Sequence, residues 1–172
     1  MTRLDRNFFA SSSCGVCGKA TLESLELLGH SPIEPGLQMS ECVLTTLPAA
    51  MRKRQLAFQQ TGRLHASALF DSQANLIDLR EDIGRHNTVD KLVGERLMKG
   101  EVPLSDHVLL SSGRAGFEIL QKALVARVPL VAAVGAPSTL AVNVATEFGI
   151  TLVGFLDAEG FNVYSHPHRI AK

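Results

Sequence analysis

Leu22, Leu25, Leu27 and Leu28 fall at near-helical spacing in the stretch 20–28, and Gly29 followed by Pro32 ends it, which predicts a short helix. A connector holding Pro35 and Gly36 follows over 33–40, and then a second helix over 48–60. There Pro48 fits the first turn, Met51, Leu56 and Phe58 face inward, and Gly62 stops the run. Strand-like runs at 64–70 and 76–81 flank the polar stretch 71–75, a pattern suited to a hairpin. The run 86–99 returns to helical spacing, with Val89, Leu92, Val93 and Leu97 on one side.

Downstream, one unit occurs twice. An apolar strand at 108–110 ends in Ser111-Ser112-Gly113-Arg114 and feeds a helix over 115–126. A second at 130–134 ends in Gly135-Ala136-Pro137-Ser138 and feeds a helix over 139–148. A third strand is predicted at 150–156. Right-handed crossovers join these pieces into a β-α-β-α-β layer with both small-residue loops on one edge of the sheet. Residues 157–160 then turn the chain into a short strand at 161–165, expected as an antiparallel edge. The fold class is α/β with a mixed sheet, and the pattern reads as one domain over 1–172 with a mobile cysteine loop at 10–18.

Composition narrows the setting. With 172 residues and 45% hydrophobic content the chain can bury one good core. Lys plus Arg equals Asp plus Glu at 17 each, so no global field favours nucleic acid, and no nucleic-acid partner is expected. No run of about 18 apolar residues is available for a membrane span, and the N-terminus lacks a signal-peptide pattern, so the expected location is cytoplasmic. A reducing compartment would keep the three cysteines as thiols.

Those cysteines carry the first candidate chemistry. Cys14-Gly15-Val16-Cys17 lies among Ser11, Ser12, Ser13, Gly15 and Gly18, an open loop in which thiols can ionise and be approached. Lys19 and the start of the helix that follows would favour a thiolate there. Structural zinc needs four ligands, usually from two such pairs, and Cys42 is the only other cysteine, so no metal site is expected within one chain. Disulfide exchange, sulfur relay and two inert cysteines stay open on chemistry alone. Cys42, beside Val43 and Leu44, reads as a buried small hydrophobe.

Two further constellations stand out. Residues 80–91 are dense in ionisable groups between a strand and a helix; Asn87 or Asp82 could cap that helix, and Gly84 could turn several polar groups toward one place. Ser112, Gly113 and Arg114, with Ala136, Pro137 and Ser138, lie at strand ends before helix starts, where free N–H groups can meet an anion. A nucleotide-sized site is expected at that edge.

Several long motifs then converge on one pattern. Ser-Ser-Cys-Gly-Val-Cys-Gly-Lys-Ala at 12–20, Thr-Gly-Arg-Leu-His-Ala-Ser-Ala-Leu-Phe at 61–70, Arg-Glu-Asp-Ile-Gly-Arg-His-Asn-Thr-Val-Asp-Lys at 80–91, Ser-Gly-Arg-Ala-Gly-Phe-Glu-Ile at 112–119, Ala-Pro-Ser-Thr-Leu-Ala-Val at 136–142 and Phe-Asn-Val-Tyr-Ser-His-Pro at 161–167 together resemble the FdhD/NarQ family. The resemblance implies a cytidine-deaminase-like three-layer fold with a mixed central sheet, the family's N-terminal region being missing from this chain. It also implies a sulfur carrier required for formate dehydrogenase activity. Such a carrier takes sulfur as a cysteine persulfide from a cysteine desulfurase and passes it to the molybdenum cofactor, bis-molybdopterin guanine dinucleotide, before that cofactor enters the formate dehydrogenase catalytic subunit.

By position, Cys14 matches the family's persulfide-bearing cysteine and Cys17 its companion. Phe155, Leu156, Asp157, Ala158, Glu159 and Gly160 match the loop that contacts the guanine dinucleotide, and a homodimer is the expected assembly. The acidic Asp157 in such a loop predicts repulsion of phosphate. A zinc-dependent deaminase-like hydrolase is the alternative for this fold, but it needs a His-x-Glu motif followed by a cysteine pair. His65-Ala66-Ser67 lacks the Glu, and here the pair comes first. A non-catalytic chaperone that only holds the cofactor is the remaining alternative.

Overall fold

The computed structural model describes residues 29–172; the predicted helix at 20–28 and the cysteine loop with Cys14 and Cys17 lie outside the described residues. In chain order the elements are β1 (Met39–Ser40), α1 (Glu41–Leu44), α2 (Leu47–Arg54), α3 (Leu56–Thr61), β2 (His65–Phe70), β3 (Leu76–Asp82), α4 (Arg85–Met98), β4 (Val108–Ser111), α5 (Phe117–Val125), β5 (Leu130–Ala133), α6 (Thr139–Glu147), β6 (Thr151–Gly154), β7 (Asn162–Ser165), a 3-10 turn (Pro167–Arg169) and β8 (Ile170–Ala171). Six strands make the central sheet in the order β3-β2-β4-β5-β6-β7. β4, β5 and β6 run parallel, the β2–β3 hairpin adds two antiparallel strands, and β7 closes the other edge antiparallel to β6.

The parallel strands are apolar apart from Ser111 and Thr151 at their ends, because helical layers cover both faces. Leu109, Val131 and Leu152 join Leu69 on the face packed by Val89 and Leu92 of α4, Ile119 and Leu120 of α5, and Val144 of α6. Their neighbours Val108, Leu110, Leu130, Ala132 and Val153 point the opposite way, with Phe70, onto Leu37, Met39, Leu44, Leu47 and Met51. The result is the three-layer α/β arrangement with a mixed sheet that the pattern implied. Among the described residues, no helix is long and apolar enough to cross a membrane.

Three local expectations fail, each for a physical reason. The helix expected over 48–60 breaks at Gln55, whose ψ of 72° is not helical. The break re-aims α3: Leu56 is exposed, and the Glu81 carboxylate accepts the Ala57 and Phe58 N–H groups at 2.9 and 2.8 Å to satisfy the new helix start. In α4 the inward stripe is Thr88, Val89, Leu92 and Arg96, so Leu97 turns to solvent. Arg96 takes the inner position because Asp78 of β3 and Glu101 receive its guanidinium at 2.5 and 2.7 Å. Cys42 is exposed, since a helix of one turn has a single inward position and Leu44 fills it.

The end of the chain closes on its beginning. β1 and β8 pair in parallel, and Arg169, buried to 1% exposure, reaches across to the segment that precedes β1. Its guanidinium donates to the carbonyls of Ile33, Glu34 and Gly149 and to Thr151 Oγ1, at 2.8 to 3.2 Å. Gly149 holds a φ of +71°, and a Cβ there would lie 2.8 Å from the Ile33 carbonyl oxygen, so only glycine admits this approach.

Candidate functional site

The C-terminal ends of β4, β5 and β6 carry three loops, and main-chain hydrogen bonds lace them together. The Val134 N–H donates to the Ser111 carbonyl and the Gly135 N–H to the Gly113 carbonyl, both at 3.0 Å, while the Phe155 N–H reaches the Gly135 carbonyl at 3.3 Å. The Ser138 N–H donates to the Ala115 carbonyl at 3.0 Å. Sequence reasoning placed Gly113, Arg114, Ala136, Pro137, Ser138 and Phe155 at one edge, and the structure brings their backbones into one seam. Glycines permit the closeness: a Cβ at Gly135 would stand 3.0 Å from Arg114 Cγ and 3.1 Å from the Gly113 oxygen. One at Gly154 would stand 2.7 Å from Pro137 Cδ and 3.0 Å from Tyr164 Cε2, so Pro137 and the Tyr164 ring close over the end of β6. Arg114 is exposed above this seam. Phe155 is 49% exposed with a φ of +55°, a left-handed conformation costly for a side-chain-bearing residue and therefore a mark of a constrained surface.

Other expected site residues have different tasks. Leu156 is fully buried in the core opposite α4, where it packs with Val153, so it offers a ligand nothing but its backbone. Asp157 does not extend its carboxylate freely into the site: its Oδ1 accepts the Glu159 and Gly160 N–H groups at 2.8 and 3.0 Å and so shapes its own turn. Ala158 and Glu159 form the exposed tip of that turn, and the Gly160 carbonyl accepts the Asp157 N–H. Ser138 caps α6 by accepting the Ala141 N–H at 3.2 Å. Ser112 Oγ accepts the Ala66 N–H at 2.8 Å and extends the β2–β4 ladder; its own hydroxyl proton is left to donate. The helix after Arg114 starts at Phe117 rather than at 115, with Gly116 as its cap and Glu118 in its first turn.

The ionisable stretch before α4 reaches the same edge, a convergence that the sequence signalled through Gly84 without attaching it to the strand-end loops. A Cβ at Gly113 would lie 3.3 Å from His65 Nδ1 and 3.7 Å from Arg85 Cδ, so His65 of β2 and Arg85 of α4 both close on the β4 loop. His86 Nε2 stands 3.6 Å from a Glu118 oxygen, beyond hydrogen-bond reach, where the starts of α4 and α5 meet. Burial pushes the His86 imidazole below its ordinary pKa and outweighs Glu118, so the ring is neutral at pH 7. Among the described residues, no three His, Cys, Asp or Glu side chains group as metal ligands.

Asp82 holds the start of α4 in place. Its carboxylate meets the Lys91 ammonium and accepts the Gly84 N–H at 2.9 Å and the Asn87 amide at 3.0 Å. Lys91 first, then Gly84 and Asn87, hold its pKa well below the usual carboxylate range. A depressed carboxylate contributes stability that is present above its unfolded pKa, about 3.9, and is lost as pH falls through the folded value. Asp82→Asn is therefore expected to lower the melting temperature at neutral pH, with the gap to wild type closing in strong acid. An equal gap at every pH would show that the charge contributes nothing.

The profile of the FdhD/NarQ family matches residues 2–171. A protein of Streptomyces avermitilis described as sulfur carrier protein FdhD is 51% identical over 170 residues, covering 98% of this chain and 60% of that protein. One of Picrophilus torridus with the same description is 46% identical over 166 residues, covering 96% and 63%. The crystal structure of a proposed formate dehydrogenase accessory protein from Desulfotalea psychrophila superposes with a TM-score of 0.76 at 26% identity, covering 85% of this chain and 62% of that one. The chain thus spans about three fifths of the length of these curated relatives.

Proposed function

This chain belongs to the FdhD/NarQ family, and from that premise we propose that it is a sulfur carrier serving formate dehydrogenase, a sulfurtransferase that works by persulfide relay. Cys14 accepts sulfur from a cysteine desulfurase: its thiolate attacks the terminal sulfur of the donor persulfide, the donor S–S bond breaks, and the donor cysteine leaves as a thiolate. The persulfide sulfur then passes to the molybdenum cofactor, bis-molybdopterin guanine dinucleotide, which is cargo delivered to the formate dehydrogenase catalytic subunit. The relatives' description as sulfur carriers supports the first half of this reading, together with Cys14 and Cys17 in the matching motif.

The observation that carries the second half is the laced seam at the ends of β4, β5 and β6. It holds an exposed cation, Arg114, and a half-exposed aromatic ring, Phe155, beside the side-chain-free Gly113 and Gly135. Arg114 pairs with no carboxylate among the described residues, so it can meet a phosphate; Phe155 offers a face for a purine. The donor set fits a guanine nucleotide. Calorimetric titration with GDP tests it: the wild type is expected to bind, and Arg114→Ala to bind about ten- to a hundredfold more weakly, the worth of one charged hydrogen bond. Absence of binding by folded wild type, or equal binding by the variant, would remove this site. Since the Asp157 carboxylate is already engaged by its own turn, Asp157→Asn is expected to change GDP affinity much less than Arg114→Ala.

A further inference from the structure

α4 and α5 lie side by side and leave a groove between them. Val93 and Gly94 of α4 and Gln121 and Val125 of α5 line it, and the Asp90–Lys122 ion pair, at 2.6 Å, bridges the end nearer the helix starts. Toward the other end the lining turns apolar. Val125 is 52% exposed, and Leu97 and Met98, one turn beyond Val93 and Gly94, are 65% and 90% exposed. Singly exposed apolar side chains are ordinary, but three at one end of a groove mark a surface that something covers. A Cβ at Gly94 would meet no atom within 4 Å, so the floor stands open in mid-helix, where glycine is otherwise disfavoured.

The described chain begins at that same end. Arg127, two residues past Val125, donates to the Ser31 carbonyl at 2.5 Å and to the Pro32 carbonyl at 2.9 Å, while the Ile33 N–H donates to the Phe148 carbonyl at the end of α6 at 2.8 Å. Traced backward, residues 33 to 31 thus pass from the end of α6 to the end of α5, and the next helix in that direction is α4. Gly29 holds a φ of +75°, the left-handed conformation of a residue just past a helix end. Before it, Leu22, Leu25 and Leu28 recur at three-residue spacing on one side of the helix expected over 20–28, with Glu23 and Leu27 on the other. A helix that short is not stable alone in water and needs a surface for its apolar stripe.

We propose that residues 20–28 of this same chain are the occupant, seating Leu25 and Leu28 in the α4–α5 groove and covering Val125, Leu97 and Met98. A helix of nine residues rises about 13 Å, enough to run from the ends of α4 and α5 past the Asp90–Lys122 pair. The seat has a consequence for the cysteine motif, because Cys17 and Cys14 stand three and six residues before position 20. At no more than about 3.6 Å per residue, the tether keeps the two thiols within roughly 10 and 20 Å of the seat's leading end. The groove thereby sets the radius within which those thiols can meet a donor or an acceptor.

The 172-residue chain contains no tryptophan, so a single introduced one reports alone. Leu25→Trp is expected to emit at shorter wavelength than Leu27→Trp and to be quenched several-fold less by iodide; Leu28→Trp repeats the measurement if the larger ring does not fit at 25. Val125→Asp, added to Leu25→Trp, is expected to bring both readings to those of Leu27→Trp while circular dichroism reports an intact fold. Gly94→Leu, which fills the open floor, is expected to do the same and serves if Val125→Asp fails to fold. Equal readings from tryptophan at 25, 27 and 28 would overturn the seat. So would a buried Leu25→Trp that ignores both groove variants, since the segment would then pack elsewhere. Burial that fades on dilution would overturn it too, by giving the groove to the segment of a second copy.

Discussion

Cys14→Ser is expected to abolish sulfur loading. After incubation with a cysteine desulfurase and cysteine, mass spectrometry of the wild type should find a gain of about 32 Da, one sulfur atom, and the variant none. The reason is chemical rather than steric. A hydroxyl nearly matches a thiol in size, but at neutral pH it neither ionises nor attacks a sulfane sulfur. Cys17→Ser should keep the added mass if Cys17 is the companion. The reverse pattern, with loading lost only in Cys17→Ser, would exchange the two roles. Formate dehydrogenase activity in cells supplies the second readout: if Cys14→Ser supports it fully, the protein works by holding its cargo and not by carrying sulfur.

The largest expected effect on folding comes from a residue far from any chemistry. Arg169→Ala leaves the carbonyls of Ile33, Glu34 and Gly149 without their donor, the first in a buried contact and the other two in part-buried ones. At about 1–3 kcal/mol for each buried group left unsatisfied, the loss is on the order of 3 kcal/mol or more. That is a large share of the roughly 5–15 kcal/mol that holds a domain together. For a chain of this size it corresponds to a melting temperature about 10 °C lower. Arg169→Met keeps much of the volume and should lose nearly as much, because the donors and not the methylenes matter. A fall below about 1 kcal/mol in urea titrations of both variants would show that these carbonyls find other partners.

Where the pattern of apolar positions had one physical reading, the elements followed it. The hairpin from His65 to Asp82, the β-α-β-α-β unit and the antiparallel β7 edge all lie where runs and turns placed them: the parallel strands are buried on both faces, and turn residues bound the edge strands. Failures arose where a tertiary partner altered the local choice. The apolar stripe put Leu97 on the inner side of α4, but Asp78, from a strand earlier in the chain, gives the Arg96 charge a place inside instead. Glu81 did the same for the break at Gln55, by capping a helix no local signal announced. Arg169 gave no hint of burial, since its acceptors are backbone carbonyls that any sequence carries. Of the candidate site, the strand-end loops were legible as small residues between strand and helix. The approach of His65 and Arg85 to Gly113 was not, because it depends on how β2 and α4 sit beside β4. Leu156 shows the opposite error: past the end of β6 the left-handed turn at Phe155 sends it into the core beside Val153, although its neighbours on both sides face solvent.

The seam at the ends of β4, β5 and β6 is stitched mainly by amides and carbonyls, and the side chains that join it, Ser111, Ser112, Ser138 and Asp157, bond to backbone N–H groups. Its outline therefore survives replacement of the residues that give it character. Positions 114, 136 and 155 can be rewritten without loosening the frame, whereas Gly135 and Gly154, whose missing side chains let the strands' ends touch, cannot. For anyone wishing to redirect this protein to another nucleotide, that division separates the letters from the page: a library confined to the exposed positions would sample new preferences on an unchanged scaffold, and most of its members should still fold.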